Sequence, residues 1–175
     1  LYRSHGVTRD TNKMFNKNEG LWYYEQLLLG FNFRMNEIQA SLGISQMNSL
    51  DKFISKRNEV SQMYMKNLKN LPLTFQKVRN EDLSAWHLFI IHLKLDQLEL
   101  TRLEIYNSLR EKGIGVNVHY IPVHLQPFYR NLGFKQGDYP NSESYYDGAL
   151  TIPMYTKLKK KDIEFVIQAL QESIY

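Results

Sequence analysis

Residues 30–39 read Gly30-Phe31-Asn32-Phe33-Arg34-Met35-Asn36-Glu37-Ile38-Gln39. Asn36 followed three positions later by Gln39 is typical of a capping box, so we predict that a helix begins here. The first turn of a helix carries unpaired N–H groups and the positive end of the dipole, which favour an anion. Asn32 and Arg34 lie just before this turn and carry donors that suit a phosphate. These two side chains are therefore candidate phosphate ligands.

The same two residues also have an ordinary structural interpretation. Asn32 is then a turn residue, and Arg34 forms a surface ion pair with Glu37. Both interpretations agree with the chemistry of the side chains, and both stay open at this point.

The composition is that of an ordinary globular protein. The 175 residues are 43% hydrophobic and 23% charged, enough to form one domain, or one domain with an extension. The absence of cysteine excludes disulfides and thiolate chemistry and favours a reducing compartment, so we predict a cytoplasmic protein. No apolar run approaches the roughly 20 residues of a membrane span, and we expect no membrane association.

The positive charge is spread along the chain. The net charge is +4, and the lysine run at residues 159–161 is the only one. A nucleic-acid interface requires basic residues clustered on one face. We therefore expect no nucleic-acid partner.

Helical periodicity follows Glu37 and continues to Asn67. An unbroken helix over this stretch would be about 45 Å long at 1.5 Å per residue, so we predict a connecting helix over residues 36–70. Its apolar stripe is formed by residues three and four positions apart: Leu50, Phe53, Ile54, Val60, Tyr64 and Leu68.

Beyond Pro72 the pattern alternates between strands and helices. We predict the fold class α/β of the α+β kind, with a small sheet covered on one face by helices. Gly113 is expected to end the first of these helices. The predicted strands cover residues 73–78, 86–95, 114–118 and 151–152, and the predicted helices cover residues 98–112, 126–132, 142–150 and 162–174.

Residues 21–29 are dense in leucine and aromatic side chains. Such a segment is too apolar to be left in water, so it either packs on the chain's own core or covers a partner.

The histidines do not predict a metal site. His119 and His124 flank Pro122, but a metal site needs a third ligand, and no other histidine or carboxylate has a recognised spacing. His87 and His92 lie in a strand pattern and are interpreted as structural. A serine hydrolase is not supported, because the chain has no G-x-S-x-G elbow.

Three blocks of sequence resemble the DegT/StrS family of sugar-nucleotide aminotransferases. Residues 30–46 are similar to its G-[aromatic]-N-[aromatic]-R-[Met/Leu]-x-[Asp/Glu]-Ile-Gln-Ala segment and the A-x-L-G-x-x-Q that follows. Residues 3–7 resemble R-x-H-G-[Ile/Val], and residues 118–126 resemble H-Y-x-P-[aliphatic]-x-x-Q. The blocks occur in the family's order and span nearly the whole chain. Residues 22–26 are similar to the branch of the family that serves pseudaminic acid biosynthesis.

The resemblance implies the C-terminal portion of a pyridoxal-phosphate (PLP) transferase fold. Residues 1–35 would end the cofactor domain and supply dimer and active-site loops. Residues 36–70 would form the long connecting helix, and residues 71–175 the small C-terminal domain. In the family, the Schiff-base lysine precedes the R-x-H-G block, and no lysine of this chain matches its motif. We therefore assign no catalytic residue and expect the chain alone to be inactive.

The resemblance also implies ligands for particular residues. Asn32 and Arg34 would reach the phosphate of PLP bound to the partner subunit of a homodimer. His5, His119 and Tyr120 would shape the nucleotide-sugar pocket. The amino donor would be glutamate, and the acceptor C4 of a UDP-linked 4-keto-6-deoxy sugar. A loop role for His119 and a core role for Tyr120 remain open as structural alternatives.

Two other classes of function remain open. In the first alternative the chain is a non-catalytic regulator. In the second it is a dimerisation module that uses residues 21–29 and the long helix as its interface. The scattered lysines argue against a regulator that binds nucleic acid.

Overall fold

The helices and strands of this computed structural model fall into two units, residues 1–49 and residues 50–175. The structure describes residues 1–16 and 20–175. In chain order the elements are β1 (Val7–Thr8), β2 (Glu25–Gln26), α1 (Glu37–Met47), α2 (Leu50–Leu68), β3 (Leu73–Phe75), β4 (Phe89–Leu93), α3 (Arg102–Glu111), α4 (Pro127–Arg130), α5 (Pro140–Gly148), β5 (Ala149–Ile152) and α6 (Lys160–Ile174), with short 3₁₀ turns at Leu95–Gln97 and Val123–Leu125.

The first unit depends on two glycines that let backbone segments approach each other. Gly6 adopts a φ of +73°, and a Cβ there would collide with the carbonyl of Leu28. A Cβ on Gly30 would lie 2.6 Å from the carbonyl carbon of His5. Only glycine fits where backbone meets backbone this closely. The strands β1 and β2 pair antiparallel beside this contact, with Val7 opposite Gln26.

Helix α1 begins with the capping box that the sequence predicts. The Asn36 side chain accepts a hydrogen bond from the Gln39 N–H at 2.9 Å, and the Gln39 side chain accepts one from the Asn36 N–H at 3.1 Å. Two donors of the first turn are thereby satisfied. No residue of α1 is buried.

The continuous helix predicted over residues 36–70 is divided in the structure. Helix α1 ends at Met47, Asn48 and Ser49 form a turn, and α2 begins at Leu50. Asn and Ser are weak helix formers because their side chains compete for backbone hydrogen bonds. The periodicity on either side hides this interruption, and the boundary between the two units falls at it.

The second unit is built on an antiparallel sheet in the order β3-β4-β5. Its central strand β4 alternates buried side chains with half-buried ones. The buried face of β4 is Phe89, Ile91 and Leu93. Helix α6 packs against both α2 and α3, while α5 contacts β4. This is the small helix-covered sheet that the sequence predicts, and the fold class is confirmed.

The core of this unit is closed by aromatic residues. Tyr64 of α2 is fully buried, its ring lies 5.1 Å from that of Phe89, and its hydroxyl donates to the Pro153 carbonyl at 2.9 Å. The Trp86 ring lies 5.3 Å from Phe89, and its indole N–H donates to the Asn58 side chain at 3.2 Å. Buried tyrosine and tryptophan are stable here because each polar atom has a partner.

The structure shortens some predicted elements and removes one. The strand predicted over residues 114–118 is reduced to a single antiparallel bridge between Asn117 and Thr151. Gly115 and Asn117 are poor strand formers, which accounts for the loss.

The helix end predicted at Gly113 is confirmed. The N–H groups of Gly113 and Ile114 donate to the carbonyls of Arg110 and Leu109, respectively, in the paired pattern of a glycine cap.

Several apolar side chains of residues 21–29 are exposed in the structure. Leu21, Trp22 and Leu29 lie in water rather than in the chain's own core. In the part of the chain that the structure describes, no helix is long and apolar enough to cross a membrane.

Candidate functional site

The first unit brings together three of the predicted site residues. Ser4 and Asn32 form an antiparallel bridge, and the His5 N–H donates to the Phe31 carbonyl at 2.8 Å. The Arg34 guanidinium donates to the carbonyl of Arg3 at 3.1 Å. His5, Asn32 and Arg34 therefore lie on two neighbouring backbone segments, although they are far apart in sequence.

Asn32 has the features of an available ligand. Its side chain is exposed and makes no hydrogen bond to any residue that the structure describes. Its backbone is fixed by the bridge to Ser4, so the amide is presented from an ordered segment. An amide group offers two donors, which suits a phosphate oxygen.

Arg34 does not form the surface ion pair with Glu37 that the structural interpretation expected. Its Nη1 donates instead to the carbonyls of Arg3 and Phe33, at 3.1 and 2.9 Å. These bonds hold the guanidinium beside the Asn32 segment. Its Nε and Nη2 make no hydrogen bond within the described residues, so part of the planar fork is left for an anion.

The start of α1 is a weaker anion site than its sequence indicates. The Gln39 N–H is taken by the Asn36 side chain, and Glu37 adds a negative charge to the first turn. An incoming phosphate would meet that charge. The amide of Asn32 and the guanidinium of Arg34 are therefore the donors that fit a phosphate, rather than the helix terminus.

Two exposed phenylalanines flank Asn32. The rings of Phe31 and Phe33 stack at 4.8 Å with only 9° between their planes, and more than half of each side chain is exposed. A stacked pair of this kind forms a flat apolar surface next to the amide. The sequence motif contained both residues but did not indicate that they would stack.

The second unit contains the other two predicted site residues, His119 and Tyr120. The His119 ring is held by the Thr151 hydroxyl, 2.8 Å from Nδ1, and by the Asn117 amide, 3.3 Å from Nε2. The peptide bond between His119 and Tyr120 is cis. Tyr120 is 68% exposed and contacts the His119 ring edge-on at 4.5 Å. The alternative that Tyr120 is a core residue is therefore wrong.

His124, which is buried, and Glu143, which is partly buried, form a pair that the sequence did not reveal. The two atoms His124 Nε2 and Glu143 Oε1 are 2.8 Å apart, and His124 is only 6% exposed. Both carboxylate oxygens also accept from the Gly137 N–H, at 2.8 and 3.0 Å. The pair ties α5 to the turn at Val123–Leu125, which follows the His119 loop.

The hydrogen bond from His124 lowers the pKa of the Glu143 carboxyl below its usual value. The Gly137 N–H lowers this pKa further, while partial burial opposes the shift. Glu143 is therefore ionised at neutral pH and acts only as an acceptor. Because an ionised carboxylate has no proton to give, Nε2 of His124 must carry the proton of this bond.

We expect Glu143 to make the stability of the second unit depend on pH in the acidic range. A carboxyl whose pKa is lowered by folding stabilises the fold above its unfolded pKa, about 4.3 for glutamate, and loses that effect as the pH falls through the lowered value. Urea unfolding should give a free-energy difference between wild type and Glu143→Gln that is largest above pH 5 and shrinks below pH 4. A difference that stays constant with pH would contradict this role for the carboxylate.

A cavity of about 350 Å³ opens beside His124. Its walls are mostly apolar and belong to the second unit alone. The residues that line it are Val123, His124, Tyr129, Phe134, Tyr139 and Ser142.

The remaining histidines do not form a further site. His92 is half-buried and its Nε2 lies 3.1 Å from the Ser144 carbonyl, while His87 is exposed. Within residues 1–16 and 20–175 there is no group of three or more histidine, aspartate or glutamate side chains placed to hold a metal ion.

Comparisons with known proteins agree with these motifs. The family model of the DegT/DnrJ/EryC1/StrS aminotransferases matches residues 1–171. The uncharacterized protein MJ1066 of Methanocaldococcus jannaschii is 35% identical over 176 residues, covering 99% of this chain and 45% of the relative. The UDP-4-amino-4,6-dideoxy-N-acetyl-beta-L-altrosamine transaminase of a Campylobacter jejuni strain (serotype O:2) is 31% identical, covering 97% of this chain and 43% of the enzyme.

Solved structures resemble the fold over its whole length. Helicobacter pylori PseC, an aminotransferase of pseudaminic acid biosynthesis, superposes with a TM-score of 0.79 at 26% identity, covering 99% of this chain and 44% of PseC. The putative sugar aminotransferase Spr1654 from Streptococcus pneumoniae, in its PMP-form, also gives 0.79, at 25% identity over 98% of this chain and 43% of its own. The chain spans less than half the length of the relatives it matches. Its three motif blocks, its fold and the family match place it in the DegT/DnrJ/EryC1/StrS aminotransferase family.

Proposed function

We propose that this chain is the C-terminal part of a PLP-dependent sugar-nucleotide aminotransferase. The enzyme would move an amino group from glutamate to C4 of a UDP-linked 4-keto-6-deoxy sugar, as in the pseudaminic acid branch. The relatives named as UDP-altrosamine transaminases support the nucleotide and the sugar class. The observation that carries the proposal is the exposed Asn32 amide, held beside Arg34 within a block that matches the family.

The cofactor assignment fits the residues present. Solved relatives include the putative sugar aminotransferase Spr1654 in its PMP-form and in its PLP-form. When bound, pyridoxal phosphate supplies an electron sink for transfer of the amino group. Asn32 and Arg34 would hold its phosphate with the amide donors and with the guanidinium donors that the backbone carbonyls leave free. Their attachment to an ordered backbone limits the entropy lost when the phosphate binds.

The sugar-nucleotide would contact the second set of residues. Thr151 and Asn117 fix the orientation of the His119 ring, so its position does not have to be set when substrate binds. Tyr120 presents an exposed side chain next to it. His5 is likewise exposed in the first unit and is available to the nucleotide-sugar.

Several parts of the proposal concern the full-length protein. We infer that it is a cytoplasmic homodimer, and that the Schiff-base lysine lies outside this chain, which would be inactive alone. The exposed apolar residues Leu21, Trp22 and Leu29 agree with a subunit interface. They agree equally with the alternative of a non-catalytic dimerisation or regulatory module.

An assay of the full-length protein separates these alternatives. Incubation with PLP, glutamate and a UDP-linked 4-keto-6-deoxy sugar should yield the 4-amino sugar and 2-oxoglutarate. Mass spectrometry detects these two compounds. Borohydride reduction should add a pyridoxyl group to one lysine of the full-length protein. If neither the 4-amino sugar nor the pyridoxyl adduct forms, the result would favour a non-catalytic module.

Substitution of Asn32 by alanine in the full-length protein should weaken PLP binding by about tenfold to a hundredfold, since a hydrogen bond to a charged group contributes about 1.5–3 kcal/mol. The dissociation constant, measured by equilibrium dialysis with absorbance detection, checks this. Asn107→Ala is a matched control, because Asn107 is an exposed asparagine on α3 away from the motif blocks. Unchanged PLP affinity in Asn32→Ala would remove Asn32 from this role.

A further inference from the structure

We propose that the cavity beside His124 is the subsite for the uracil ring of the nucleotide-sugar. The inference rests on the proposed function, in which the substrate is a UDP-sugar. It is carried by the combination of aromatic walls with a nearly buried histidine whose second ring nitrogen has no protein partner.

The walls of the cavity are faces and edges of aromatic rings. Phe134 lies between Tyr129 and Tyr139, with ring centres 6.4 and 6.2 Å away, and the Tyr139 ring lies 4.8 Å from His124. All three aromatic side chains are partly exposed, so ring surface remains uncovered. A volume of about 350 Å³ lies at the small end of ligand pockets in general, which suits one planar ring.

The one nearly buried polar side chain of the cavity is His124. Its Nε2 is committed to the Glu143 carboxylate, while its Nδ1 makes no hydrogen bond to any residue that the structure describes. No fully buried side-chain nitrogen or oxygen among the described residues lacks a partner. Nδ1 is therefore not fully buried, and His124 is one of the residues that line the cavity.

Uracil matches this arrangement. Its flat ring can stack on Phe134 and the tyrosines, which is worth about 1–3 kcal/mol per base in single-stranded nucleic-acid complexes. Its edge places an N–H between two carbonyl oxygens. A neutral His124 accepts from that N–H, and a protonated one donates to a carbonyl. The base satisfies Nδ1 in either state.

The other parts of a UDP-sugar do not fit the cavity. A diphosphate needs cationic donors, and no lysine or arginine is among the described lining residues. A sugar carries hydroxyls on every side, whereas most of the lining is apolar, and each buried hydroxyl left unpaired costs about 1–3 kcal/mol. The base combines apolar faces with a polar edge, as this lining requires.

The cavity also lies close to the predicted sugar-nucleotide loop along the chain. His124 lies four positions after Tyr120, so their Cα atoms are at most about 14 Å apart. The hydrogen bond between His124 and Glu143 anchors the His124 end of this segment. A nucleotide can therefore place its base in the cavity and its remaining groups toward His119 and Tyr120.

Uridine monophosphate is the probe for the isolated subsite. We expect titration of the full-length protein, with its phenylalanine and tyrosine residues isotopically labelled, to shift the NMR signals of Phe134 and Tyr139, and Phe134→Ala to weaken binding by about tenfold. Phe165→Ala is the matched control, because Phe165 is a 51% exposed phenylalanine on α6 that does not line the cavity. Ribose 5-phosphate, which lacks the base, should leave these signals unchanged. Equal uridine monophosphate affinity in wild type and Phe134→Ala overturns the proposal.

Kinetics of the full-length protein distinguish failure of the subsite from failure of the proposed function. Phe134→Ala should raise KM for the UDP-sugar about tenfold with little change in kcat, because the base lies away from the reacting carbon. If the full-length protein is an active transaminase and Phe134→Ala leaves its KM for the UDP-sugar unchanged, the subsite proposal is overturned. A protein with no transaminase activity that still binds uridine monophosphate through Phe134 overturns the proposed function and keeps the subsite.

Discussion

Replacing Gly30 by alanine should unfold the structure around residues 1–35. The added Cβ would lie 2.6 Å from the His5 carbonyl carbon and would also collide with the backbone N of Gly6. Backbone atoms cannot rotate away as a side chain does, so we expect a destabilisation of about 3 kcal/mol, at the upper end for overpacked positions. Hydrogen exchange at the amides of His5 and Phe31, which are bonded across this contact, measures the effect.

Gly43→Ala is the matched control for this substitution. Gly43 lies within α1, and a Cβ there would meet no atom within 4 Å. Alanine is favoured over glycine in a helix by about 1 kcal/mol, so this variant should keep or raise protection. Equal exchange rates at His5 and Phe31 in the wild type and the Gly30→Ala variant would show that the two segments do not depend on their close approach.

Replacing Tyr64 by alanine should destabilise the second unit by about 3–5 kcal/mol, the range for large aromatic residues removed from a core. Tyr64 is fully buried, and its ring contacts Phe89 at the centre of the sheet. Burial also raises the pKa of its hydroxyl well above the usual value, so the group stays a neutral donor. Urea unfolding followed by circular dichroism gives the free energy.

Tyr64→Phe separates the hydroxyl from the ring. This variant keeps the packing but leaves the Pro153 carbonyl without its donor, which should cost about 1–3 kcal/mol. Tyr175→Phe is a control, because Tyr175 is exposed at the last position of the chain. A loss in Tyr64→Phe as large as that in Tyr64→Ala would mean that the hydrogen bond, and not the packing, holds α2 to the sheet.

The features that sequence predicted well depend on neighbouring residues. The capping box at Asn36 and Gln39 and the glycine cap at Gly113 each use groups within five positions of one another. The strand predicted over residues 86–95 is found at Phe89–Leu93, where apolar residues follow one another in the sequence. Local chemistry is sufficient for all three.

The features that sequence missed depend on contacts between distant residues. His124 and Glu143 are 19 positions apart, and His119 and Thr151 are 32 apart. No spacing rule links such pairs before the sheet and α5 bring them together. The turn at Asn48 and Ser49 was missed for another reason, since the apolar period continues across it with only weak helix formers to indicate the stop.

Helix α1 has a thermodynamic consequence for the first unit. It is 11 residues long, buries none of them, and exposes Ile38, Leu42, Ile44 and Met47. A helix of this length is marginally stable in water, and its capping box contributes only part of what it needs. Its helicity is therefore linked by mass action to whatever covers its apolar side chains. The helical content of residues 37–47 should therefore rise when a binding surface becomes available and fall on dilution.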